Sequence, residues 1–294
     1  MTDYRSLHRH RSFFEGWYFR HQGADGAVAF IPGVSISKQG KKSTFVQVIT
    51  KSGSFNQTYP YTAFRACRKN FSVRIGRNVF TEKGVHIDMN GPGLHCTGEI
   101  RYGPLTPISS DIMGPFRLIP FMECNHGVIS MKHSLTGSVT LNGESISMDG
   151  GIGYIEKDWG SSFPSSYLWV QCNRFSDSSC SVMVSIAEIP FCGTRFQGCI
   201  AVVCFQGREY RFATYRGVKI IRCSETGFIL KQGDYLLEAD ILSKPAHQLL
   251  APQSGEMSRV IRENMSAAAR FRLYENNLLL FDLTGDEVGF EYVK

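Results

Sequence analysis

No CxxC spacing occurs anywhere in this chain, although it carries nine cysteines in 294 residues. Metal-binding thiolates converge at short spacings, so no thiolate metal site is expected. The odd count and the apolar settings, as for Cys199 and Cys204 in GCIAVVCF, point to buried free thiols in a reducing compartment. No run of about 18 apolar residues exists, which leaves nothing to span a membrane as a helix. The opening MTDYRSLHRHRSFF lacks the uninterrupted apolar segment of a secretory signal, and a cytoplasmic protein is expected. There is no phosphate-cradling glycine loop, no GxSxG elbow and no HExxH, so nucleophilic and metal-assisted catalysis have no motif to rest on. Excess charge is small, 32 Lys and Arg against 26 Asp and Glu. The basic residues form no stripe, and nucleic acid is not an expected partner. The one local cluster, His8-Arg9-His10-Arg11 followed by Arg20 and His21, reads as a solvated segment. Its alternative is a contact with an anionic ligand or, peripherally, with a membrane surface.

What the sequence has is alternation. Thr44–Thr50 alternates in part, and Ser166–Cys172 is apolar enough for a strand buried on both faces. Similar runs recur along the chain, from Phe13–Arg20 to Val288–Val293. Short turn signals join several of them: Asn142-Gly143, Gln206-Gly207, Gln232-Gly233 and Asn276-Asn277. This predicts an all-β fold of antiparallel hairpins in a sandwich or barrel, with at most short helices. With 29 glycines and 11 prolines, long helices have little room. One helix is predicted at Glu256–Met265, where Met257, Val260, Ile261 and Met265 fall at helical spacing behind a possible Ser254 cap. Gly103–Pro120 reads as an irregular crossing. A single sheet rarely exceeds about ten strands before closing or splitting, so two β-domains are expected, 1–150 and 151–294.

Two segments are too specific for a generic β-scaffold. Phe13-Phe14-Glu15-Gly16-Trp17-Tyr18-Phe19 sets one carboxylate among five aromatic rings. Gly153–Pro164, GYIEKDWGSSFP, runs on through Tyr167-Leu168-Trp169-Val170-Gln171-Cys172-Asn173. As a strand, Tyr154–Asp158 would put Tyr154, Glu156 and Asp158 on one face and Ile155 and Lys157 on the other. Polar groups among so many apolar neighbours need partners or a role. Between these segments lie Pro120–His126, PFMECNH, and Met131-Lys132-His133.

On these residues the chain resembles the tocopherol cyclase family, part of a wider lipocalin-like group that includes carotenoid hydratases. FFEGWYF, FME with its following histidine, and YIEKDWGSSFPSSYLWVQCNRF carry the resemblance, most specifically over about 113–175 and 13–20. It implies two lipocalin-like antiparallel β-domains, barrel or sandwich, with an apolar pocket for a small prenyl-like ligand. It also implies ring closure on a prenylated quinol without any cofactor. Plant members commonly carry Asn where this chain has Asp158, which favours Glu156 and Glu15 as the acid.

Ring closure onto an isolated alkene must place a proton on carbon. That needs a carboxylic acid kept protonated, aromatic faces for the cation, a base for the phenol proton and exclusion of water. Glu156, Glu15 and Asp158 are the candidate acids, and His133 the candidate base. Trp17, Tyr18, Trp159, Phe163, Tyr167, Trp169 and His126 are the candidate substrate-binding groups. Each has a plainer reading. Glu15 could be an ion-pair partner of Lys157, Glu156–Asp158 a structural charge cluster, His133 a satisfied strand histidine, and the tryptophans core. A lipid or isoprenoid carrier and an isoprenoid hydratase are the rival functions.

Overall fold

Side chains alternate between faces through nearly every element of the computed structural model, which describes residues 12–51, 53–67, 71–119, 122–191, 193–243 and 247–294. The His8–Arg11 cluster, Pro120-Phe121 and Cys192 lie outside the described residues. The chain divides into two compact units. One comprises Met1–Ile108, Met122–Phe163 and Leu250–Val260; the other comprises Ser109–Phe121, Pro164–Leu249 and Ile261–Lys294. The division thus falls after Phe163 rather than at 150/151. The cause is strand pairing: Gly151–Gly160 hydrogen-bonds to Phe13–Gln22 on one side and Cys124–Leu141 on the other, at the middle of the first sheet. Gly150, with φ of +70°, belongs to the turn that leads into that strand.

The first unit is built on a twelve-stranded antiparallel sheet. Trp17, Phe19 and Ile155 point to the face that joins Val28, Phe30, Val46, Ile75 and Phe80 in a buried apolar cluster. The alternate residues Tyr18, Arg20, Tyr154 and Glu156 stand on the opposite face and are buried too. The second unit is built on a ten-stranded sheet in which Tyr167–Cys172 lies between Ser181–Phe191 and Leu278–Val293. Leu168, Val170 and Cys172 enter that unit's core, which leaves Tyr167, Trp169 and Gln171 on the other face.

Turn chemistry follows the sequence closely. Asn142-Gly143, Gln206-Gly207 and Asn276-Asn277 all carry positive φ at both residues, the backbone that two-residue hairpins require. The turn expected at Gln232-Gly233 is shifted by one, because Gln232 pairs with Tyr235 across the hairpin. The helix predicted at Glu256–Met265 is instead the start of a long strand, Glu256–Glu275. Ile261, Met265, Ala267, Ala269, Phe271 and Leu273 are buried at a period of two, while Val260 is exposed. Ser254-Gly255, with φ of +51° and +84°, is a hairpin turn and not a helix cap. Met257, Ile261 and Met265 fit both periods, and the apolar run beyond them decides for the strand. Gly103–Leu118 is irregular as expected, apart from a single 3-10 turn at Gly114–Leu118.

Candidate active site

The 151–160 strand brings the chemistry of the first unit into one row. Asp158 lies opposite His126 on one neighbour and Gly16 on the other, and Glu156 lies between Val128 and Tyr18. Tyr154 Oη donates to Glu156 Oε2 at 2.6 Å. His126 Nε2 lies 3.4 Å from the same Oε2, and His126 Nδ1 lies 2.7 Å from Asp158 Oδ1. The result is a continuous series, Tyr154–Glu156–His126–Asp158. Asp158 accepts from Nδ1, which leaves Nε2 turned toward Glu156. Burial holds the Tyr154 phenol well above its ordinary value, and the adjacent Glu156 carboxyl group pushes it further. Tyr154 therefore stays protonated and acts as a donor. The Cys124 thiol is raised by burial and then by the Asp158, Glu156 and Glu123 carboxylates, so it is no nucleophile.

Aromatic rings share this face. Tyr18 lies beside Glu156, and Phe14 lies opposite Gly160 with the Phe163 ring edge-on to it at 5.4 Å. His126, Glu156 and Asp158 offer ligand atoms within 4.8 Å of one another, so a cation could be held here.

Other predicted residues stand elsewhere. Glu15 is on the opposite face of the sheet, its Oε1 2.7 Å from Lys157 Nζ. Lys157 Nζ is 5.2 Å from both the Trp17 and the Trp159 ring, so these tryptophans flank the ion pair. Tyr167 and Trp169 belong to the second unit, where Tyr167 Oη donates to the buried Glu291 at 2.6 Å. Glu291 was not singled out from sequence, because its pairing partner lies 124 residues earlier.

His133 also faces away from Glu156. Its ring lies over Gly153, where an added Cβ would come 2.2 Å from Nε2, and it meets the Tyr102 ring at a centroid distance of 4.5 Å. His133 Nδ1 is 3.0 Å from Ser130 Oγ, and Tyr102 Oη is 2.6 Å from His21 Nε2. Burial lowers His133 to about 4; burial, with the neighbouring His133, lowers His21 to about 3. Both are neutral when folded and titrate near 6.5 when unfolded, so the unfolded chain binds the extra protons. Their contribution to stability is complete above about pH 6.5 and is lost as pH falls toward 4 and then 3. Each histidine should add a slope of about 1.4 kcal/mol per pH unit in that window. Urea melts at pH 7, 5.5 and 4.5 test this, with His133→Gln expected to reduce the slope. Equal stability at the three values would show that these histidines do not stay neutral.

The two units, built on antiparallel sheets, make this an all-β protein that carries a buried carboxylate–imidazole series in its first unit. Residues 99–291 match the tocopherol cyclase-like family, and the chain belongs to it. A probable chloroplastic tocopherol cyclase of Oryza sativa subsp. japonica is 29% identical over 160 residues, 51% of this chain and 34% of that protein. A chloroplastic tocopherol cyclase of Zea mays is 30% identical over 103 residues, 33% of this chain and 22% of that one. The matched stretches therefore span about a third or less of these relatives' length. Among solved structures, kievitone hydratase from Nectria haematococca aligns with a TM-score of 0.56 at 11% identity, covering 96% of this chain and 89% of that one. CghA with Sch210972 aligns with a TM-score of 0.61 at 10% identity, with the same coverage. At these identities the likeness is one of fold. No helix among the described residues is long and apolar enough to cross a membrane.

Proposed function

We propose that this chain closes a ring on a prenylated quinol or a similar isoprenoid, with Glu156 delivering the proton. The observation that carries this reading is the Tyr154–Glu156–His126–Asp158 series on a buried face that also bears Tyr18, Phe14 and Phe163. Glu156 gives its proton to one alkene carbon, leaving a tertiary cation on the other. A desolvated aromatic face stabilises such a cation by about 2 kcal/mol. The phenol oxygen attacks, the C–O bond forms, and the phenol proton passes to His126 and back to Glu156. Substrate and product contain the same atoms, so the balance calls for no oxidant, reductant or cofactor. A cytoplasmic location is part of this proposal, supported by the free thiols among the described residues.

Incubating the purified chain with a prenylated quinol tests the reading. A ring-closed product of unchanged mass supports it. A product heavier by one water would make the chain a hydratase, and saturable binding without turnover would make it a carrier. Dialysis against EDTA is expected to leave turnover unchanged. Activity lost on chelation and restored by zinc would put a metal on His126, Glu156 and Asp158 instead.

A further inference from the structure

One end of the second unit combines exposed leucines with a group of cations, some of them without a carboxylate partner among the described residues. Leu278 is 71% exposed and Leu279 53%. Adjacent strand residues point to opposite faces, so exposure of both means that the hairpin tip at Asn276-Asn277 stands clear of the sheet. Register carries the same end across the neighbouring strands: Leu278 pairs with Glu275, Glu275 with Tyr235, and Tyr235 with Gln232. One position further, Lys231 lies directly opposite Lys219, and both are exposed. Like charges in direct cross-strand register destabilise a sheet, so this pair is at odds with folding alone.

Arginines complete the patch. Arg208 and Arg216 share a cavity of about 160 Å³ with Tyr210, Gln232 and Tyr235. The nearby carboxylates are already engaged. Glu275 accepts from Tyr235 Oη at 2.6 Å and pairs with Arg208 at 3.5 Å, and Glu209 is held by Arg211 and by the Ser109 amide. Asp234, at the neighbouring turn, is the exception. No carboxylate lies within ion-pair distance of Arg216, Lys219 or Lys231 among the described residues.

We propose that this end of the second unit docks on an anionic lipid bilayer. Leu278 and Leu279 enter the boundary between headgroups and acyl chains, while Arg216, Lys219 and Lys231 meet lipid phosphates. Exposed leucines with cations at the same end of the sheet complement such a surface in both charge and polarity. The Lys231–Lys219 repulsion is then relieved on binding.

Co-sedimentation with phosphatidylcholine vesicles, with and without phosphatidylglycerol, tests the proposal on the full chain. The vesicles contain no quinol, so the outcome is independent of the catalytic reading. Binding is expected to be at least about tenfold tighter with phosphatidylglycerol present, and to weaken as salt rises. Leu278→Ser with Leu279→Ser, and separately Lys231→Glu, should each weaken it by about tenfold or more. All three side chains are exposed, and unchanged thermal melts confirm that the variants fold. Equal binding to both vesicle types, or variants that bind as the parent does, would overturn the proposal. So would competition by millimolar inorganic phosphate that abolishes vesicle binding, which would make the arginine cavity a site for free anion. A dimer in sedimentation velocity that depends on Leu278, without vesicle binding, would assign the patch to a second copy of the chain.

Discussion

Glu156→Gln is expected to lower turnover of a prenylated quinol by about 10²-fold or more while leaving ligand affinity almost unchanged, the scale of a lost general acid. The geometry makes the substitution clean. The Gln carbonyl still accepts the Tyr154 hydroxyl now held at 2.6 Å by Oε2, but the side chain has no proton to give. A structural role for Glu156 through Lys157 is not available, since Lys157 points to the other face and pairs with Glu15. Asp158→Asn should cost less than Glu156→Gln. Its carbonyl oxygen can still accept from His126 Nδ1, so the imidazole keeps the orientation that the 2.7 Å contact now fixes. Turnover and thermal stability measured together separate the cases. A Glu156→Gln protein that melts early yet turns over at the parent rate per folded molecule would remove Glu156 from catalysis.

The parts of this site that were legible in sequence are those fixed by local geometry. A period of two places Tyr154, Glu156 and Asp158 on one face of a strand without any knowledge of its neighbours. The Asn-Gly and Asn-Asn turns announce their hairpins because positive φ at two successive residues selects for those side chains. Pairing between distant segments left no such mark. The meeting of Phe13–Gln22 with Gly151–Gly160 joins strands far apart in the sequence, and it is what moved the domain division. The two histidines illustrate the same limit. The sequence offers His126 as a substrate contact and His133 as the base, yet His126 reaches Glu156 and Asp158 while His133 lies over Gly153. Both occupy the strand Cys124–Leu141, but its pairing with Gly151–Gly160 shifts register twice between Val128 and His133, and it is that pairing that sets His126 opposite Asp158 and His133 opposite Gly153. Such shifts leave no mark in the alternation of the sequence.

Glu15→Gln is expected to destabilise the protein by about 3–5 kcal/mol, because it strands a buried ammonium. The Glu15 and Lys157 side chains are 0% and 4% exposed, and Nζ lies 2.7 Å from the carboxylate. Two indole faces at 5.2 Å offset part of the desolvation of Lys157, but they cannot replace the anion. In a domain of this size each kcal/mol lowers Tm by about 2–4 °C, so the change is measurable by calorimetry. Lys157→Met alone should also destabilise, since it leaves the Glu15 charge buried among Phe13, Trp17 and Trp159. Removing both charges, as Glu15→Gln with Lys157→Met, should recover most of the loss, because a buried pair contributes little beyond an apolar pair of similar volume. The double variant also decides the role of Glu15. Separated from Glu156 by the thickness of the sheet, Glu15 is expected to be dispensable for chemistry, with turnover per folded molecule retained. A double variant that is as stable as the parent but inactive would make Glu15 the acid and move the reaction to the other face of the sheet.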